Sequence, residues 1–182
     1  TAIITSNMSI NLIFEAFIRE LKQVVDIDWA TIAMIEGNEV YFLALTSTVE
    51  SAWQPDERMP LEGTATESAC RERRAIYEPD LRRRHRFSTW QYHLKQGVSS
   101  VVYLPLSVAD RTIGTLTLAS GKPNAYDRSQ IRLLEKVALQ IAAPIENARL
   151  YAQAEKKSRI DELTGLFNRR HFEQRLKEEV AR

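Results

Sequence analysis

From Asp127 onward, apolar side chains fall at Ile131, Leu134, Ala138, Ile141, Ile145, Ala148 and Ala152, separated alternately by three and four residues. Such a seven-residue repeat keeps one stripe of a helix turned toward a neighbour over many turns, which is the pattern of a coiled coil. Asp127 and Gln130 stand where a capping box starts a helix. Run from 127 to 160, that helix extends about 50 Å at 1.5 Å per residue, well past the edge of a small domain. Whatever precedes it must therefore fold as a compact body from which a rod protrudes. Leu133, Val137 and Leu150 form a second apolar flank, so the near half of the rod can cover a sheet while the repeat meets another helix. Pro144 lacks a backbone N–H and is expected to kink the rod. A long core helix in a single copy is the alternative.

The upstream part reads as one mixed domain. With 182 residues, 44% of them hydrophobic and 27% charged, the chain is long enough for one core of ordinary size plus extended flanks. Ile10, Phe14, Phe17, Leu21 and Val24 recur at helical spacing after the capping residues Ser6 and Asn7. Trp29–Ile35 and Val40–Leu45 are β-rich runs joined by Glu36-Gly37-Asn38-Glu39, a hairpin signal. Thr64-Ala65-Thr66-Glu67 is a capping box for a short helix ending near Arg74, and Ala75–Glu78 is a brief strand. An arginine-rich loop and a helix around Trp90–Gln96 lead to the clearest strand pair, Val98–Leu106 and Thr112–Ala119, linked through Ala109-Asp110-Arg111. The expected class is α+β, a central antiparallel sheet flanked by helices with a long C-terminal helix.

This order of elements resembles a GAF domain. The resemblance is carried by Leu61-Glu62-Gly63 and the helix after it, Ala75-Ile76-Tyr77-Glu78-Pro79-Asp80, the run Gly97–Leu106, Ile113-Gly114-Thr115-Leu116-Thr117-Leu118, and Tyr126-Asp127 before the last helix. It implies a GAF-like sensor domain over residues 1–148, with helices on one sheet face and a ligand pocket under the loops on the other. GAF domains vary most, and enclose their ligands, in the segment that here holds Arg86, Phe87, Trp90, Tyr92 and His93. The resemblance therefore implies these five as ligand-binding residues. Aromatic walls with a few polar groups suit an unidentified small organic ligand, and the neighbouring arginines would favour an anionic one. The same aromatics could instead complete the core.

No residue of this part makes a case for catalysis or metal binding. The single cysteine, Cys70, excludes an internal disulfide and a cysteine-based zinc cluster, and mid-helix it reads as a small buried apolar residue. Sulfoxide-reducing GAF proteins use several cysteines, and bilin-binding ones carry a cysteine where this chain has Ser88–His93. Asn124-Ala125-Tyr126-Asp127 matches the N-K-F-D-E pattern of cyclic-nucleotide GAF domains poorly, and helix capping explains it. His93 reads as packing or a hydrogen-bond donor rather than a haem ligand. Two arginine clusters, Arg71 to Arg74 and Arg82 to Arg86, read as solvated loops because Glu67, Glu72, Glu78 and Asp80 lie among them.

Lys and Arg number 25 against 24 Asp and Glu, so a net charge of +1 gives no pull toward nucleic acid or an anionic membrane. No apolar run approaches the ~20 residues of a membrane span, and the N-terminus lacks a signal pattern, so a cytoplasmic location is expected.

The chain's last stretch is the most specific. Asp161, Leu163, Thr164, Gly165, Leu166, Asn168, Arg169 and Arg170 form D-x-L-T-G-L-x-N-R-R, in which Gly165 permits a turn and Asn168 caps a second helix. This resembles the opening signature of the GGDEF domain, the bacterial diguanylate cyclases that join two GTP into cyclic di-GMP. The resemblance implies that residues 161–182 begin such a domain, that its catalytic and Mg- and GTP-binding residues lie beyond Arg182, and that this fragment is not itself an enzyme. It also implies why a parallel homodimer matters: two cyclase domains must meet. The expected function is a sensory input module of a diguanylate cyclase. The alternative is a ligand-free dimerisation module ahead of an inactive or phosphodiesterase-coupled GGDEF domain.

Overall fold

The computed structural model describes residues 2–159. In chain order it contains α1 (Ala2–Leu21), β1 (Trp29–Glu36), β2 (Glu39–Ser47), β3 (Arg58–Pro60), α2 (Ala65–Glu72), β4 (Ile76–Glu78), α3 (Trp90–Lys95), β5 (Ser100–Val108), β6 (Arg111–Ser120) and α4 (Arg128–Arg159). The signature residues 161–170 lie outside the described residues. The strands form one antiparallel sheet in the order β3-β2-β1-β6-β5-β4, as the α+β reading expects. Sequential hairpins supply β1–β2 and β5–β6, and β6 then closes onto β1 in the centre. Gly114 makes that closure possible: a Cβ there would sit 2.0 Å from the Ala33 carbonyl oxygen.

Side chains alternate across a strand, so every strand serves two layers. Ala30, Ile32, Met34, Val102, Leu104, Leu116 and Leu118 face α1 and α4 in one core cluster. Trp29, Ala33, Phe42, Val101, Tyr103 and Ala119 face the opposite way, joined there by residues of α2 and by Trp53, Leu81 and Val98.

Local signals set most boundaries. Gly37 adopts φ +60° in the two-residue turn between β1 and β2, a conformation that suits glycine. Thr64 caps α2 by accepting from the Glu67 N–H at 3.2 Å, although the Glu67 carboxylate returns to the Gly63 N–H rather than to Thr64. Asp127 and Gln130 form the reciprocal box at the start of α4, at 2.8 and 2.9 Å. The N-terminal helix differs from its expected bounds. It already includes Ser6 and Asn7, and Val24 is exposed beyond its end while Val25 turns inward. The edge strand β3, three residues ending in a proline, carried no recognisable strand pattern.

The seven-residue repeat is used differently from the expected coiled-coil seam. Leu134 and Ala138 are both 0% exposed and belong to the domain's own core. Ile131, Ile141 and Ile145 pack against the same cluster. A helix crossing a sheet needs an apolar stripe at three-and-four spacing just as a coiled coil does, and β5 takes that stripe here. The opposite side of α4 carries exposed Leu133, Leu139, Leu150 and Tyr151. The helix continues through Pro144. Its distal part is tied back by the buried Glu146, whose carboxylate accepts from Arg111 at 2.8 Å and from Arg149 at 2.7 and 2.9 Å. No helix among the described residues is long and apolar enough to cross a membrane.

Candidate ligand-binding site

On the sheet face away from α1 and α4, β1 and β6 present threonines where the other face presents leucine and isoleucine. Thr31 pairs with Thr117 across β1–β6, and Thr117 with Tyr103 across β6–β5, so these three share one row. Above them lies a small cavity of about 30 Å³, walled by this row, by Trp29, Phe42 and Trp53, by Thr64 and Thr66 at the start of α2, and by Thr89 and His93 of the α3 region.

The polar groups around it are mostly tied to one another. Thr31 donates to the Ala44 carbonyl at 2.7 Å, and a buried hydroxyl chain runs from Thr66 to Thr115 at 3.0 Å and on to Thr117 at 3.3 Å. His93 Nε2 meets the Tyr103 hydroxyl at 3.1 Å, whereas His93 Nδ1 has no partner. Burial pushes the His93 imidazole down to about 3, so the ring is neutral, and burial likewise holds the Tyr103 phenol far above its ordinary range. Trp29 and Trp53 stand edge-on to the imidazole with ring centres at 5.3 and 5.0 Å.

Of the five residues expected to bind ligand, His93 alone lines the cavity. Phe87 and Trp90 are half-buried at its margin against the same core cluster, Phe87 near Tyr103 and Trp90 stacked on His85 with ring centres at 3.7 Å. Tyr92 is 49% exposed and touches Trp53 from outside. Arg86 is exposed, its guanidinium over the Phe87 ring at 5.1 Å. Helical geometry explains the difference, since neighbouring residues of α3 point about 100° apart and only His93 turns toward the sheet. The arginine clusters also stay outside: Arg83 pairs with Asp80, Arg71 with Glu67 and Arg74 with Glu72. No arginine reaches the cavity, which removes the reason for expecting an anionic ligand.

Sequence reasoning missed Trp29, Phe42, Trp53 and the threonines. The alternation Thr115-Leu116-Thr117-Leu118 could have found the latter, because a strand apolar on one face and hydroxyl-bearing on the other has two different neighbours. Trp53, on an irregular segment, left no such signal. Cys70 is buried, its thiol pushed up to about 11 and directed to the Gly114 carbonyl at 3.3 Å, as a small core residue.

A cavity between an antiparallel sheet and short helices, with α1 and α4 on the opposite face, coincides with a family model described as GAF domain that matches residues 7–146. The chain belongs to the GAF domain family. Solved GAF structures agree with the architecture. The GAF domain of a two-component sensor histidine kinase from Bacillus halodurans is 20% identical, with a TM-score of 0.67 over 76% of this chain and 95% of that one. The GAF region of a putative membrane protein from Geobacter sulfurreducens is 18% identical, with a TM-score of 0.64 over 80% and 99%. A free methionine-R-sulfoxide reductase from Neisseria meningitidis, solved with its substrate, is 16% identical, with a TM-score of 0.58 over 72% and 74%. At these identities the likeness concerns the fold. No curated protein matches the chain in sequence.

Proposed function

We propose that this GAF domain is the sensory input module of a bacterial diguanylate cyclase: it binds a small molecule in the cavity beside His93 and passes the change through α4 to a GGDEF domain that makes cyclic di-GMP. One observation carries the sensory part. Tyr103 and Thr117 line the cavity while Leu104, Leu116 and Leu118, their immediate neighbours on β5 and β6, pack in the core beneath α4. A ligand that moves these two strands must repack the helix, because well-packed cores shift between discrete arrangements rather than deform smoothly. The output half rests on the signature Asp161–Arg170, which follows α4 in the chain. GTP and Mg²⁺ belong to that output domain, and the GAF domain needs no resident cofactor.

The active unit in this reading is a homodimer. Between Val137 and Ala154 the only charged residues are Glu146 and Arg149, which bond to each other, so the outward side of α4 offers no charge to water. Beside it, Ile10, Ile13, Phe14 and Phe17 of α1 and Ile141, Pro144, Ile145 and Ala148 of α4 border an apolar groove of about 280 Å³. A charge-free, self-complementary surface of this kind suits a second copy of the same two helices. The ligand-free dimerisation module is the second reading, favoured by a cavity that is small as it stands.

The test uses the parent chain with GTP and Mg²⁺, with and without the cavity substitution Thr117→Val. Cyclic di-GMP formation at a rate altered by the substitution is expected, and none from the 182-residue chain alone. No product from the parent removes the cyclase assignment. Product at a rate indifferent to cavity substitutions leaves the structural module.

A further inference from the structure

The geometry points to a flat, uncharged aromatic heterocycle bearing a hydrogen-bonding N–H or hydroxyl as the ligand class of this site, entering where the indole of Trp53 now sits. The inference rests on the ligand-binding reading above and specifies what binds.

Trp53 belongs to the irregular segment 48–57 between β2 and β3. It is the segment's one buried residue; Glu50, Ala52, Gln54, Pro55, Asp56 and Glu57 are exposed. Its indole is boxed by four rings, with centres at 5.6 Å for Trp29, 5.6 Å for Phe42, 5.5 Å for Tyr92 and 5.0 Å for His93. The adjoining cavity of about 30 Å³ holds a water-sized guest and no organic ring. With the indole withdrawn, the combined space is that of a bicyclic aromatic with room beside it. The chain thus carries its own occupant for an aromatic box.

The walls decide the charge of a competitor. The cavity lining contains no Lys, Arg, Asp or Glu, and an ion placed there would lose its hydration without gaining a partner. The polar groups are threonine hydroxyls and the imidazole of His93, whose Nδ1 is unpartnered. Protonated, that nitrogen donates one bond, which a ligand hydroxyl can accept; unprotonated, it accepts one, which a ring N–H or a hydroxyl can supply.

The segment that carries the plug is anchored at both ends. Thr48 donates to the Asp28 carbonyl at 2.8 Å at one end, and Asp56 donates to the Phe42 carbonyl at 2.8 Å at the other. Between them, Ser51 Oγ accepts from Trp29 Nε1 at 3.1 Å and from the Trp53 N–H at 3.2 Å. The end bonds can act as hinges while the Ser51 contact breaks. A ligand must displace Trp53, so its apparent affinity is its intrinsic affinity lowered by the fraction of molecules with the plug out.

The experiment is fluorine NMR on the whole chain labelled with fluorotryptophan, whose three signals belong to Trp29, Trp53 and Trp90. The probes are uncharged indole and anionic indole-3-acetate. Indole is expected to shift the Trp29 and Trp53 signals saturably, to make the Trp53 signal solvent-sensitive, and to leave Trp90 in place. Indole-3-acetate should bind at least about tenfold more weakly, and Trp53→Ala should bind indole at least about tenfold more tightly than the parent. Should Trp53→Ala fail to fold, the parent's spectra decide alone. Equal or tighter binding of the anion overturns the assigned class. So does a fixed Trp53 signal when some other small molecule shifts Trp29, an outcome that leaves the ligand-binding reading intact. If no compound of a chemically varied set moves either signal, that reading falls as well.

Discussion

Replacing Leu134 with alanine separates a helix packed on its own sheet from a helix held by a second copy. Leu134 is 0% exposed and belongs to the same core cluster as Leu104 and Leu118 of the sheet and Ala138 of the next turn. Removing three buried carbons costs about 2.4 kcal/mol at ~0.8 kcal/mol each, before any cavity is counted. The rigid sheet beneath cannot follow the smaller side chain, so the cavity brings the loss to about 3–4 kcal/mol. In a domain of this size that lowers the melting temperature by roughly 10 °C. The assay is denaturant unfolding of parent and variant at low and high protein concentration, with Val24→Ala, 57% exposed and away from α4, as the control expected to stay within about 0.5 kcal/mol. An intramolecular core residue gives a loss independent of concentration. A loss that vanishes on dilution, as a seam residue would produce through mass action, refutes the packing argued here, and so does no loss at all.

His93 should make stability depend on pH. The unfolded imidazole binds its proton near 6.5 and the buried one near 3, so between these values the unfolded state carries the extra proton. Stability then rises with pH across that window at about 1.4 kcal/mol per unit and levels off above it, and urea unfolding of His93→Phe should lack that slope. Gly114→Ala should cost about 3 kcal/mol or more by thermal denaturation, because the added carbon meets the Ala33 backbone rather than a side chain that can rotate; wild-type stability would mean that β1 and β6 are not closely paired at this point. Cys70, with its thiol near 11, should resist a thiol reagent at neutral pH until the domain unfolds, and fast labelling of native protein would contradict its burial.

What was legible in the sequence was local. The box at Asp127 and Gln130, the glycine turn at Gly37 and the run from Val98 to Ala119 are each specified by residues a few positions apart, and each appears where expected. The stripe on α4 was legible as a stripe, but its partner was not. Three-and-four spacing states that Leu134 and Ala138 need covering and is silent on whether β5 or another helix covers them. The cavity was only partly legible for a related reason. Phe87, Trp90 and Tyr92 were chosen for their place within one segment, whereas the cavity is assembled from β1, β2, β3, β5, β6, α2 and α3, whose meeting is a property of the sheet order. Trp53 was invisible because an irregular segment has no period from which an inward direction can be read.

The alternation on β6 also bears on how such a domain can change over generations. Thr117 can be exchanged for other residues while Leu116 and Leu118 stay untouched, because it lines the cavity and they pack in the core on the other face. On the proposed reading, recognition and output therefore occupy different letters of the same ten-residue strand. Descendants of this chain can drift toward a new stimulus without relearning how to speak to the helix, and a laboratory library restricted to the threonine positions would explore the same freedom.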